Sequence, residues 1–322
     1  MDIIIVTPLR SSSRSGNDTT SRRWARILRT LGHSVRLATT YRGEPADVMI
    51  ALHAWRSAES IASFRALYPC RPLLVALSGT DIYSYLSRDP KPVLRSLNMA
   101  DRLLVLQEMA IRRVPERHRW KVRMVHQSAA KPRKRRAGKT RYFDIAVIGH
   151  LREVKDPFRA AKAARLLPSS SRIRIVHLGA AETPRWAAMA RGEMSRNPRY
   201  VWRGDRPHGE VRALLARARA MVLSSISEGG ANVISEAVAA GVPILASHID
   251  GTVGLLGDDY PGYFRVRDTN ALASLLRRLE IDAAFSRQLR RAVIRRAYLF
   301  APAREKAAWA KLLTELLNQH AS

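Results

Sequence analysis

Short continuous apolar runs alternate along this chain with stretches whose hydrophobic positions recur at helical spacing. The first run, 3–6, is Ile-Ile-Ile-Val and ends at Thr7-Pro8; a polar loop follows to Gly16-Asn17. Trp24, Ile27, Leu28 and Leu31 then form one stripe of a helix that stops at Gly32. Further strands are predicted at 35–39, 48–52, 73–77 and 103–106, with a helix over 57–67. The pattern restarts with a strand at 144–148 ending in Gly149, and Asp156-Pro157 reads as the N-cap and first-turn pair of a helix reaching 167. Strands at 173–178, 200–202, 221–224 and 244–246 alternate with helices at 182–196, 208–217 and 231–240, and helices at 270–280, 283–299 and 304–317 close the chain. Runs that are apolar throughout, separated by helices, belong to parallel strands covered on both faces. The predicted fold class is α/β, built from two Rossmann-like domains. Ligands of such sheets bind at the carboxyl ends of the strands, so a two-domain version is expected to hold its active site in a cleft between the domains.

Composition narrows this picture. A length of 322 residues suits two domains, and 46% hydrophobic content excludes wholesale disorder. A single cysteine, Cys70, excludes an internal disulfide framework and a cysteine-rich metal site. No apolar run approaches the roughly 18 residues of a membrane span, so no stable membrane insertion is expected. The N-terminus lacks a basic segment before its apolar run and reads as a first strand, which makes a cytoplasmic location the expectation. The formal net charge is +29, and 47 of the 56 basic residues are arginine. A surplus of that size invites a nucleic-acid reading. Yet aromatic residues are only 7% and do not cluster with the arginines, as stacking on bases would require, so no specific nucleic-acid partner is expected. The one dense block, 131–141, carries seven basic and no acidic residues and reads as a solvated linker. The expected organisation is an N-terminal domain over 1–135, a second domain over 142–303, and a terminal helix over 304–322.

The stretch from Ser225 to Ser247 carries the most chemistry. It reads as a strand end, a glycine turn and a helix start. Gly229 and Gly230 allow close approach of the backbone to a ligand, and the amides that follow make an anion site at a helix N-terminus. Glu228 precedes that helix and Glu236 lies within it; Asn232 and Glu236 share a face. Carboxylates only accept hydrogen bonds, which suits them to gripping sugar hydroxyls. A capped helix with a solvated Glu236 is the plainer reading of the same residues.

Two glutamates separated by seven residues in this context resemble the donor-site motif of retaining GT-B glycosyltransferases of the family 4 type. The resemblance implies a GT-B fold whose terminal helix crosses back to the first domain. It assigns donor binding to Gly149, Arg152, Lys155, Glu228, Gly229, Gly230, Ala231, Asn232, Val233 and Glu236. Glu228 and the glycine amides would face the donor sugar and phosphates, and Glu236 the ribose hydroxyls. The diphosphate pair of the family falls at Gly149-His-Leu-Arg-Glu-Val-Lys155: Lys155 fits the lysine, His150 stands at the usual arginine, and Arg152 is the replacement. Fixed cations there stabilise the leaving diphosphate without a metal, so neither cofactor nor metal is expected. The catalytic set is His53, Arg152, Lys155 and Glu228.

The first domain departs from the general family pattern. The histidine often found after a strand on the acceptor side is missing from Ser78-Gly79-Thr80-Asp81, and His53 ends a different strand. As a set, Gly16-Asn17 with 22–28, 51–54, Gly79-Thr80-Asp81, 101–103, Gln127-Ser128, 149–157, 228–232 and 254–264 resemble one narrow branch, the selenosugar synthases of selenoneine biosynthesis. That likeness implies transfer of N-acetylglucosamine from UDP-GlcNAc to the selenium of selenophosphate, with UDP and phosphate released. A small dianionic acceptor calls for fixed donors and cations, for which Gly16, Asn17, Arg56 and Thr80 are the candidates. Asp18 stands where that branch has a basic residue and Trp55 where it has arginine. Gly251-Thr-Val-Gly254 is compatible with a phosphate lining or with a tight strand-to-helix turn, while Tyr260, Tyr263 and Phe264 read as packing residues.

Two other readings compete. A conventional GT-B enzyme acting on a lipid or polysaccharide would use the basic surface to dock on an anionic membrane, and Trp24 is its nearest candidate anchor. A basic scaffold would bind RNA in a salt-dependent way, indifferent to Glu236→Ala.

Overall fold

The computed structural model of the chain describes residues 1–8, 16–132 and 141–320. Residues 133–140 of the basic block at 131–141 therefore lie outside the described residues. The chain divides into two compact units, one of Met1–Ser128, Glu228–Asn232 and Pro302–Ser322, the other of Ala129–Ser227 and Val233–Ala301.

The sheet of the first unit has six parallel strands: β1 (Asp2–Val6), β2 (Ser34–Ala38), β3 (Val48–Leu52), β4 (Leu73–Ala76), β5 (Arg102–Val105) and β6 (Val122–Met124). They lie in the order β2-β1-β3-β4-β5-β6. Every residue of β3 and β4 is buried, as expected for strands covered on both faces. The period of two along β1 divides the core. Ile4 and Val6 join Met49, Phe64 and Leu97 on one face; Ile3 and Ile5 join Trp24, Leu28 and Ile50 on the other. The helix Pro302–His320 returns to cover this second face, with Trp309, Leu312, Leu313 and Leu316 in the same cluster. Trp309 meets Trp24 edge-on at 4.9 Å, and both are fully buried. Side chains of that size stabilise by about 3 kcal/mol each on burial.

The second unit repeats the plan with β7 (Phe143–Ile148), β8 (Ile173–Leu178), β9 (Tyr200–Trp202), β10 (Ala220–Leu223), β11 (Ile244–Ser247) and β12 (Tyr263–Phe264), ordered β12-β11-β10-β7-β8-β9 and all parallel. In each sheet the chain winds out one way from the first strand and then restarts on its other side. The reversals fall between β1 and β3 and between β7 and β10, which makes the carboxyl ends of those strands the natural ligand positions.

Several local expectations change. Asp156 does not cap a helix: it sits in the left-handed region (φ 42°) after a short 3-10 turn, pairs with Arg159 at 2.7 Å, and the helix runs Arg159–Arg165. Gly251–Gly254 do not form a turn of their own: they are buried in the opening turns of the helix Asp250–Leu256. Tyr260 is a packing residue with a polar tip, donating to Ile244 O at 2.6 Å and accepting from Ile244 N at 3.0 Å. No helix among the described residues is long and apolar enough to cross a membrane.

Candidate functional site

At the reversal of the second sheet, a small cavity is lined by Gly149, His150, Lys155, His177 and Ser224-Ser225 at the ends of β7, β8 and β10. The loop after β7 is fixed from beneath. His177 is buried in β8, and burial pushes its imidazole down to about 4, so the ring is neutral. A carbonyl can only accept, so His177 Nε2 donates to Gly149 O at 2.9 Å, and Nδ1 accepts from Tyr200 Oη at 2.9 Å. Gly179 faces the same carbonyl at φ 155°; a Cβ there would lie 1.9 Å from Gly149 O. His150, at the place where the family has arginine, accepts from Ala180 N at 3.1 Å. The backbone of Lys155 and Asp156 receives the Ser224 hydroxyl at 3.2 and 2.9 Å, and Val154 O receives Ile226 N at 2.8 Å. Arg152 is half-buried, and its Nε is buried without a hydrogen-bond partner among the described residues. An orphaned guanidinium nitrogen on a fixed loop is suited to an anionic ligand. Glu236, on the helix Asn232–Ala240, accepts from His208 Nε2 at 2.9 Å and keeps 16% of its side chain exposed. Val233 is half-buried one residue into the same helix.

In the first unit the ends of β3 and β4 are tied by one carboxylate. Asp81 is fully buried and accepts the backbone N–H groups of Ala54, Ser78, Gly79 and Ile82 at 2.8–3.2 Å. Residues Asp81–Tyr85 form a π-helical turn, a conformation often found at functional sites. His53 follows β3 with φ 76°, strained for a non-glycine residue by about 1–3 kcal/mol. Its Nδ1 faces Arg56 N at 3.2 Å and its Nε2 faces Thr80 Oγ1 at 2.8 Å. A backbone N–H can only donate, so Nδ1 is the acceptor and Nε2 carries the ring proton. Burial pushes the imidazole below its ordinary value; the Asp81 carboxylate works against this and the Arg56 charge with it. His53 is therefore neutral, with its basic nitrogen already engaged.

The glycine loop joins this group. A Cβ on Gly229 would fall 2.3 Å from Ser78 O, and one on Gly230 would fall 2.4 Å from Leu106 Cβ. Neither position admits a side chain, and the backbone of Glu228–Gly230 lies directly on Ser78-Gly79. Ala231 is buried beside them. Asn232 accepts from Arg23 Nη1 at 2.8 Å and donates to Gly16 O and Thr20 Oγ1, each at 3.2 Å. Gly16 and Asn17 open the helix Gly16–Thr30, so the first unit gathers Gly16, Asn17, His53, Arg56, Thr80 and Glu228–Asn232 around the ends of β3, β4 and that helix. Trp55 stacks on Tyr85 with ring centres 4.1 Å apart and donates to Asp89 at 2.7 Å, while Asp18 pairs with Arg22 at 2.8 Å. Among the described residues, no three His, Cys, Asp or Glu side chains are grouped to hold a metal ion.

Two parallel six-stranded sheets of this doubly wound topology have the architecture of the GT-B class. The family model described as glycosyl transferases group 1 matches residues 130–319, and the chain belongs to that family. It is a glycosyltransferase, for which a nucleotide sugar is substrate rather than resident cofactor. The fold is similar to that of sucrose-phosphate synthase from Thermosynechococcus elongatus, 15% identical over 99% of each chain with a TM-score of 0.79. It is also similar to Alr3699/HepE of Anabaena in complex with UDP-glucose (14% identity, 98% and 100% covered, TM-score 0.77). The pneumococcal O-GlcNAc transferase GtfA in complex with UDP and GlcNAc is 14% identical, with 84% of this chain and 57% of that one covered and a TM-score of 0.64. No curated protein matches the chain by sequence.

Proposed function

We propose that this glycosyltransferase moves N-acetylglucosamine from UDP-GlcNAc to the selenium of selenophosphate. Selenium attacks C1 of the sugar while the bond from C1 to the UDP oxygen breaks and UDP departs with the electron pair. Water then cleaves the Se–P bond, releasing phosphate and leaving a 1-seleno-sugar. Arg152 and Lys155 hold the diphosphate as its charge develops, and Glu236 takes the ribose hydroxyls. Glu228 and the amides beside it face the sugar. The reading keeps a metal out of the reaction because two fixed cations suffice for the leaving group.

The observation that carries this reading is the state of His53. An alcohol acceptor needs a base, and His53, whose ring contacts Thr80 beside the Ser78-Gly79 backbone on which the glycine loop packs, has its basic nitrogen occupied by Arg56 N. Selenophosphate arrives already anionic and soft, so it needs no such base. The membrane-docking alternative loses its anchor, since Trp24 is fully buried.

The test is direct. Purified protein incubated anaerobically with UDP-GlcNAc and selenophosphate is expected to yield a mass corresponding to 1-seleno-N-acetylglucosamine, together with stoichiometric UDP. Absence of that product, alongside glycosylation of an alcohol or lipid acceptor under the same conditions, overturns the proposal.

A further inference from the structure

The contacts of His53 constrain its neighbour as much as they constrain the ring itself. Thr80 Oγ1 receives a proton from His53 Nε2 at 2.8 Å. A hydroxyl that accepts in this way still has its own hydrogen to give, and Thr80 Oγ1 makes no second hydrogen bond among the described residues. The alternative tautomer would point Nδ1–H at the Arg56 N–H 3.2 Å away, two donors face to face, so the backbone fixes the direction of the chain of hydrogen bonds. Both ends are rigid. Asp81 ties Ser78, Gly79 and Ala54 together on either side, and the strained φ of His53 holds the ring across the gap between β3 and β4. Thr80 itself is half-buried and stands next to Gly79, against which the backbone of Gly229 is packed. The group lies one strand from the reversal of the sheet, where the hydroxyl of Thr7, at the end of β1, is buried without a partner among the described residues.

We infer that Arg56 N–H, His53 and Thr80 form a directional relay that presents the Thr80 hydroxyl as a hydrogen-bond donor to an oxyanion of the acceptor. His53 is then a positioning residue that never takes the acceptor's proton, and Thr80 selects acceptors that arrive as anions with non-bridging oxygens. A neutral alcohol offers a weaker acceptor to this donor and finds no base beside it. Both features push selectivity the same way. This inference rests on the reading of the acceptor as a small phosphate-type anion.

Steady-state kinetics with selenophosphate as the varied substrate separate the possibilities. Thr80→Val, which keeps the shape and removes the hydroxyl, is expected to raise the acceptor KM about 10- to 100-fold, the range of a hydrogen bond to a charged group. Its kcat and its KM for UDP-GlcNAc should stay within about threefold. Thr80→Ser should behave as the native protein. His53→Phe, which keeps a ring without a donor, should raise the acceptor KM several-fold, and His53→Gln, which returns an N–H, should restore most of it. An unchanged acceptor KM in Thr80→Val overturns the relay and leaves the selenophosphate reading standing. So does a collapse of kcat at constant KM in His53→Phe, which would mark the histidine as a base. Parallel loss of UDP-GlcNAc affinity in Thr80→Val also overturns it, since the residue would then be structural. Failure of the native protein to make any selenosugar overturns the reading on which the relay depends.

Discussion

At the scale of single residues, the clearest constraint on the loop after β7, which we propose holds the diphosphate, comes from a side chain that is absent. Gly179 faces Gly149 O so closely that a Cβ would sit 1.9 Å from it, at a φ of 155°. Gly179→Ala must therefore move the β7 loop that carries Arg152 and Lys155. The expected result is a loss of about 1–3 kcal/mol of stability together with at least tenfold weaker UDP binding. Gly192 is the natural control. It lies inside the helix Pro184–Arg196 with nothing nearer its missing Cβ than Arg196 Nη1 at 4.0 Å. Gly192→Ala should stabilise by about 0.5–1 kcal/mol and leave UDP binding unchanged. Thermal denaturation and UDP titration of the two variants decide the matter; equal behaviour would sink the idea that Gly179 shapes the loop. The resemblance to GT-B glycosyltransferases singled out Gly149, Arg152 and Lys155, but not the residues beneath them. His177 stands, fully buried, in the strand Ile-Arg-Ile-Val-His-Leu, and a histidine late in an apolar strand was the available signal. Its partner Tyr200 lies two strands along the chain order from Gly149, and only the parallel pairing of β8 with β9 brings the two rings together.

At the scale of elements, most apolar runs were readable because they cross a sheet buried on both faces, as β3 and β4 do. The short edge strands β6 and β12 and the π-helical turn at Asp81–Tyr85 were not. The Val-Arg-Met of β6 and the two residues of β12 carry too little pattern, whereas the equally short edge strand β9 was readable as Tyr-Val-Trp, and a π turn arises here from one carboxylate collecting four amides, which no periodicity records. The terminal helix shows both sides of this. Its apolar stripe at 308, 309, 312, 313 and 316 was visible in sequence, whereas the role of Glu305 was not. Glu305 is buried and accepts from Trp24 Nε1 at 2.9 Å, Ser128 N at 2.8 Å, Ser128 Oγ at 2.5 Å and Arg23 Nε at 3.2 Å. Because Arg23 in turn donates to Asn232, this one carboxylate steadies the end of the glycine loop. Glu305→Ala removes the counter-charge of the half-buried Arg23 and leaves the Trp24 indole N–H and the Ser128 N–H without their acceptor, and should cost about 3–5 kcal/mol in denaturant unfolding. Glu305→Gln, which still accepts, should cost clearly less. Equal costs for the two variants would mean that packing, not the carboxylate, sets the helix in place.

At the scale of the whole molecule, the net charge of +29 looks like the dominant electrostatic fact, yet the response to acid should be governed first by buried neutral histidines. Burial holds His177 at about 4 in the second unit and lowers His53 in the first. An unfolded imidazole titrates near 6.5. Between those values the unfolded chain binds a proton that the folded chain refuses, so stability falls as pH drops from 6.5 towards 4. The slope is up to about 1.4 kcal/mol per pH unit for each such histidine, and about 3 kcal/mol over the full window for His177. Glu315 acts lower on the scale. The Arg123 guanidinium holds its carboxyl at about 2, with Arg102 adding to the effect, so its contribution is complete above about 4.5 and fades only as pH falls towards 2. Between pH 7 and 5 the histidines alone should set the slope, over a background of like-charge repulsion. His177→Gln isolates one of them, because the amide can still donate to Gly149 O but does not titrate. Hydrogen exchange of the β7 and β8 amides reports on the second unit specifically. Their protection should drop between pH 7 and pH 5 in the native protein by roughly one proton's worth more than in His177→Gln. The repulsion is common to both proteins and cancels in that difference. Identical pH slopes would mean that His177 is not held neutral, and the loop after β7 would then lose the fixed donor on Gly149 O.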